Sequence, residues 1–292
     1  MGCALLQLMG YKKEREDFTM VSRRKVIEEL QMRGYRVESQ IRVKNSVTIP
    51  GIVMQMKENV GLFIPMEEIW KESDLDTTVW KLIQLYESSE GPQMSLESLK
   101  DRKFVLNHIS IALQKESSQK LVKRPCRFFD KVEQFLCLTV TGGSDGYFIA
   151  LEMSMLEIIG VTEEEAWERA EKNLHESVRI QTMEEVLRES FGMDIDEVSK
   201  ENGLPLYVIS NEYKFHGASA VLDTETLRKV AEQHRTTRLL LLPSSIHEVL
   251  IVPYADAFAF EDMEDLVRGV NIEEVRPEDQ LSDVPYIWNL ED

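Results

Sequence analysis

Apolar positions recur at helical spacing in some stretches of this chain and in short continuous or alternating runs in others. Residues 20–33 place Val26, Ile27 and Leu30 on one face, which predicts an amphipathic helix. Val37 to Val43, Val47 to Met56, and Leu62-Phe63-Ile64 predict strands. Helices are predicted over about 75–88, striped by Val79, Leu82, Ile83 and Tyr86, and over 96–114, striped more loosely by Leu99, Phe104 or Val105, Ile109 and Leu113. Ser117 to Pro125 is polar, basic and closed by a proline, and is the best internal boundary.

Beyond that boundary, Phe135 to Thr141 and Tyr147 to Met153 flank Gly142-Gly143-Ser144-Asp145-Gly146, the pattern of a β-hairpin. That glycine-rich turn runs into a strand, so it does not offer helix N–H groups to a phosphate. Gly160 ends a short helix. Thr162 to Glu165 forms a capping box, followed by the stripe Trp167, Ala170, Leu174 and Val178. A second box, Thr182 to Glu185, opens a helix that ends near Gly192. The last third predicts strands at 206–210 and 218–222, a helix at 224–234, strands at 238–243 and 247–253, and a helix at 261–270 with Met263, Leu266, Val267 and Val270 inward.

Helices between strand groups, without a regular βαβ run, predict an α+β fold with mixed or antiparallel sheets and flanking helices. Two modules are expected, 20–115 and 125–292, after a poorly ordered leader at 1–19, with Met20 as a natural beginning.

Charge sharpens this division. Residues 1–150 carry 22 Lys and Arg against 20 Asp and Glu, whereas residues 151–292 carry 12 against 32, within a formal net charge of −18. So acidic a C-terminal half repels phosphate backbones, so direct nucleic-acid binding is not expected and a basic protein partner is. No stretch approaches the roughly 18 apolar residues of a membrane helix. Cys3, Cys126 and Cys137 are odd in number and lack metal-ligand spacing, which fits a reducing cytoplasm, and Cys137 sits in an apolar run as a buried strand residue.

Candidate chemistry concentrates in the turn between the runs Leu239-Leu240-Leu241-Leu242 and Val249-Leu250-Ile251-Val252. There Ser244, Ser245, His247 and Glu248 offer two hydroxyls, an imidazole and a carboxylate. They could supply a nucleophile, a base and an orienting acid. Successive strand residues point to opposite faces, however, and the nucleophile-elbow pattern is missing. The alternative is a structural turn whose serines cap backbone groups while His247 pairs locally. His247-Glu248 also looks like half of a helical zinc motif, but the second histidine position holds Ile251 and the context is a strand. Glu171 and His175, one helical turn apart, predict a surface ion pair. No cofactor or metal is expected.

Several segments occur together in one order: Tyr207 to Asn211, Gly217 to Leu222, Leu242 to Pro253, Val270-Asn271, and Pro277 to Asp283 with Tyr286. The hairpin, Gly160 to Glu165, Ala170 to Asn173 and Met183 to Leu187 precede or interleave with them. In these the chain resembles the bacterial domain-of-unknown-function family 5688 over roughly residues 20–290. Arg124 to Asp130 departs from the pattern by being more basic. The resemblance implies a fold and a bacterial cytoplasm, and no reaction. Its motif positions are Asn211, Gly217, Pro243, Asn271, Ser282, Asp283 and Tyr286, each read as scaffold: Gly217 for its backbone freedom, Asn271 as a cap just past a helix end, Ser282-Asp283 as a turn.

The leading functional expectation is a non-catalytic interaction or regulatory protein. The alternatives are a hydrolase-like enzyme built on the 243–248 turn and an acidic mimic of DNA that occupies a DNA-binding protein.

Overall fold

The computed structural model describes residues 22–57, 60–67, 74–89, 96–142, 145–191, 205–243, 245–254 and 260–291. The expected leader at 1–19, Gly143-Ser144 of the expected hairpin turn, and Gly192 lie outside the described residues. The described residues divide into two compact units, the first ending at Leu96 and the second beginning at Glu97. The fold is α+β, and every paired strand in its three sheets is antiparallel.

In the first unit, α1 (Arg23–Met32) and α2 (Leu75–Ser88) pack on a sheet of order β1 (Val37–Lys44), β2 (Val47–Lys57), β3 (Val60–Pro65). Val26, Leu30, Val79 and Leu82 bury against Ile52, Met54 and Ile64, as the helical and strand spacings require. Asp74 starts α2 by accepting the Thr77 amide at 2.8 Å.

The second unit opens with a 3₁₀ turn (Leu96–Lys100), α3 (Arg102–His108) and β4 (Ile109–Lys115). The single helix expected over 96–114 is therefore corrected. The Asp101 carboxylate accepts the amides of Lys103 and Phe104, so it caps a new helix there. Beyond it, Ile109 and Ile111 are β-branched and enter a sheet buried on both faces, where tertiary packing overrides a loose helical stripe. That sheet has β6 (Val132–Gly142) beside β4 on one edge, and β5 (Lys123–Pro125) and β7 (Asp145–Ala150) along the other. The predicted hairpin is thus β6–β7, with Gly142 opposite Asp145.

Two helices cover this sheet. α4 (Met153–Ile159) ends at Gly160 with φ 66°, a left-handed cap. α5 (Glu163–Ser177) begins where Thr162 Oγ1 accepts the Glu165 amide at 3.2 Å. Trp167, Ala170 and Leu174 form its buried stripe, but Val178 is not part of it: it starts β8 (Val178–Thr182). At the second box both reciprocal bonds form, Glu185 N to Thr182 Oγ1 and Thr182 N to Glu185 Oε2, and open α6 (Met183–Phe191).

The last sheet has the order β12 (Tyr286–Asn289), β10 (Arg238–Leu242), β11 (Val249–Pro253), β9 (Tyr207–Asn211), β8. Leu239 and Leu241 face one core with Ile209, Val249, Ile251 and Trp288, while Leu240, Leu242 and Val252 face another with Val267. Both faces are covered, which explains the continuous apolar run. Each of these leucines stabilises by about 1.5–3 kcal/mol on full burial. α7 (Thr224–Gln233) supplies Leu227, Val230 and Ala231 to the first core. α8 (Phe260–Glu274) supplies Val267 and Met263 to the second. Leu266, expected inward, is 51% exposed.

The expected strand at 218–222 is a 3₁₀ helix, Gly217–Leu222. Gly217 through Val221 are buried around the whole turn rather than on alternate sides, and their small side chains allow that close packing.

Candidate functional site

β10 and β11 pair antiparallel, Leu242 opposite Leu250, and present the 243–248 turn at one end of the sheet. His247 and Glu248 precede β11 instead of lying within it, so strand alternation does not set their directions. Ser244 lies outside the described residues.

The turn is stitched to two segments through its backbone, the 217–222 turn and the loop at 277–283. Ile246 N donates to the Asp279 carbonyl at 2.8 Å, Ala218 N to the Ile246 carbonyl at 3.2 Å, and Ser282 N to the Pro243 carbonyl at 3.3 Å. Side chains add to this. Ser245 is buried, and its hydroxyl accepts the His247 amide at 3.1 Å. Ser210 Oγ donates to the His247 carbonyl at 2.7 Å.

The His247 ring uses both nitrogens. Nδ1 accepts the His216 amide at 3.1 Å, which fixes the neutral ring as the Nε2–H tautomer. Nε2 then lies 3.5 Å from Asp279 Oδ1. Glu248 is not brought together with His247 as a hydrogen-bonded pair. It lines a cleft of about 230 Å³ with Arg179, Gln181, Ser210 and Lys214. Burial raises the Glu248 pKa, against the lowering effect of His247 and Lys214.

Of the motif positions, Gly217 and Ser282 meet the same turn directly and Pro243 belongs to it. A Cβ on Gly217 would stand 2.2 Å from Ser210 Oγ, 2.6 Å from Asn211 N and 2.8 Å from the His247 carbonyl, so close approach requires glycine here. Asn211 closes the loop after β9: Oδ1 accepts the amides of Tyr213 and Phe215, and Nδ2 donates to the Phe215 carbonyl at 2.8 Å. Asn271 is not past a helix end. It lies inside α8, buried, where Nδ2 donates to the Ser282 carbonyl at 2.9 Å and to Asp283 Oδ1 at 2.7 Å. Ser282 Oγ accepts the Val284 amide at 3.1 Å, as a turn residue does. Tyr286 pairs with Leu241 in the sheet and packs on Phe128 with ring centroids 5.3 Å apart.

Ser210, His216 and Asp279 are site residues that the sequence reading did not single out. His216 has φ 50°, and its ring stacks on Phe148 at 4.0 Å. Its signal in the sequence was its place just before Gly217, in a loop that must turn sharply. The expected Glu171–His175 pair is corrected: Glu171 pairs with Arg124, while His175 Nδ1 lies 3.0 Å from Asp223 Oδ1. Asp223 carries the hydrogen bond and charge that raise the His175 pKa.

A family model described as Family of unknown function (DUF5688) matches residues 15–289. The chain belongs to this family. The 243–248 turn and every motif position around it fall inside the matched span of DUF5688. No curated protein and no solved structure matches the chain. Among the described residues, no helix is long and apolar enough to cross a membrane, and no group of three or more His, Cys, Asp and Glu is placed to hold a metal ion.

Proposed function

We propose that this DUF5688 chain is a non-catalytic interaction or regulatory protein whose acidic C-terminal portion engages a basic protein partner. The observation that supports the non-catalytic reading most strongly is the bonding of His247. A general base for a serine needs an open ring nitrogen within reach of the hydroxyl. Here Nδ1 is occupied by a backbone amide, Nε2–H is turned toward Asp279, and the Ser245 hydroxyl is engaged by the His247 amide. These side chains hold a turn in shape.

The charge distribution supports the choice of partner. Residues 151–292 carry 32 acids against 12 basic side chains. Exposed charges of this kind interact over a Debye length of about 8 Å at physiological salt, so association should weaken as salt rises. The test titrates the full chain with a labelled lysine-rich peptide and with duplex DNA, at low and high salt. Salt-sensitive peptide binding without DNA binding is expected. Tight DNA binding contradicts the proposal, as does ester, amide or phosphoester hydrolysis that is lost in His247→Ala.

A further inference from the structure

The cleft beside the turn has its own chemistry. It is formed by β8, α6, β9 and the loop after β9, and Glu248 contributes a part-buried carboxyl to it. Most of the other polar groups are already engaged. Lys214 Nζ is 3.1 Å from Glu189 Oε2. Gln181 hydrogen-bonds to Glu189 and, with Lys214, holds its carboxyl below the usual range. Ser210 Oγ donates to the His247 carbonyl. The Asn211 side chain is spent on its own loop. Glu248 has no hydrogen bond or ion pair among the described residues, and the exposed Glu212 adds a third acid to the lining beside Glu189 and Glu248. Arg179 is exposed.

A part-buried carboxylate without a partner is costly, and a cation placed against it removes much of that cost. The Glu248 carboxyl therefore lacks a hydrogen-bond donor of its own. A volume near 230 Å³ admits the end of one side chain and not a folded element. We infer that this cleft is a binding site for a single cationic side chain, the ammonium of lysine or the guanidinium of arginine, presented by a protein partner and held by Glu248. The inference rests on the reading of the chain as the partner of a basic protein, and it locates the contact.

The test uses the full chain and a fluorescent peptide of alternating lysine and glycine-serine, at low salt. Glu248→Gln keeps the shape of the side chain and removes its charge. Glu157→Gln makes the same charge change at an exposed position on α4, outside the cleft. The expected result is about tenfold weaker binding for Glu248→Gln, the factor that about 1.4 kcal/mol represents, with Glu157→Gln unchanged. Amide chemical shifts of the unaltered protein provide a measurement that does not depend on the variant folding: peptide must move Gln181, Lys214 and Glu248 together. Equal binding by both variants, or shifts elsewhere, overturns the inference and leaves the basic-partner reading standing. Peptide binding by none of the proteins overturns both.

Discussion

The Ser210 hydroxyl donates to the His247 carbonyl oxygen at 2.7 Å, joining the end of β9 to the turn that precedes β11. Gly217 passes directly beneath this bond. Strand, turn and 3₁₀ helix are therefore locked at one point, and the 243–248 turn acts as a clasp on the sheet.

Gly217→Ala tests the closeness of that clasp. The added methyl would meet Asn211 N and the His247 carbonyl as well as the Ser210 hydroxyl, and backbone atoms do not yield as a flexible side chain does. Overpacking of this kind costs about 1–3 kcal/mol. Urea unfolding should show a lower midpoint by that amount, and an unchanged midpoint would mean that the 3₁₀ helix can move away freely.

Glu248 gives the turn region a pH dependence. Burial raises its pKa in the folded chain, so the protonated carboxyl favours folding. That contribution is fully present below the ordinary glutamate pKa and is lost as pH rises through the raised folded value. Glu248→Gln cannot ionise. Its stability relative to the unaltered protein should therefore increase as pH rises across the weakly acidic range, and a relative decrease in parallel unfolding curves would contradict the sign.

Cys137 lies within β6, and burial pushes its thiol up to about 12. The thiolate is the reactive form, so the folded protein should leave Cys137 unalkylated by iodoacetamide at neutral pH. Mass mapping should find it modified only after denaturation. Ready modification in the folded state would show that the β4–β6 sheet opens.

Much of this architecture was legible in the sequence, for reasons particular to each segment. The strands β10 and β11 were readable because two short apolar runs flank a proline-serine turn, and the sheet buries both faces of Leu239–Leu242. Gly160, Thr162 and Thr182 marked helix ends because their roles are local, made with atoms a few residues away. Gly217–Leu222 misled because a short apolar run has no period of its own, and only the packing around it decides between strand and 3₁₀ turn. Helix 96–114 misled because a loose stripe is weaker than the sheet that recruits Ile109 to Lys115.

For the site, the sequence located the turn and not its bonding. The clustering of Ser245, His247 and Glu248 was visible, whereas the His216 amide and Asp279 reach His247 from loops remote in the chain. Spacing carries no trace of such a contact. The same holds for Asn271, whose partners Ser282 and Asp283 lie across the loop that follows α8.

The central claim is that His247 holds the clasp together. Equilibrium unfolding of His247→Ala tests it most directly. Removing the ring leaves the His216 amide without its acceptor and opens the contact with Asp279. The account predicts a loss of about 1–3 kcal/mol, the cost of a part-buried donor left unsatisfied. A variant as stable as the unaltered protein would contradict it.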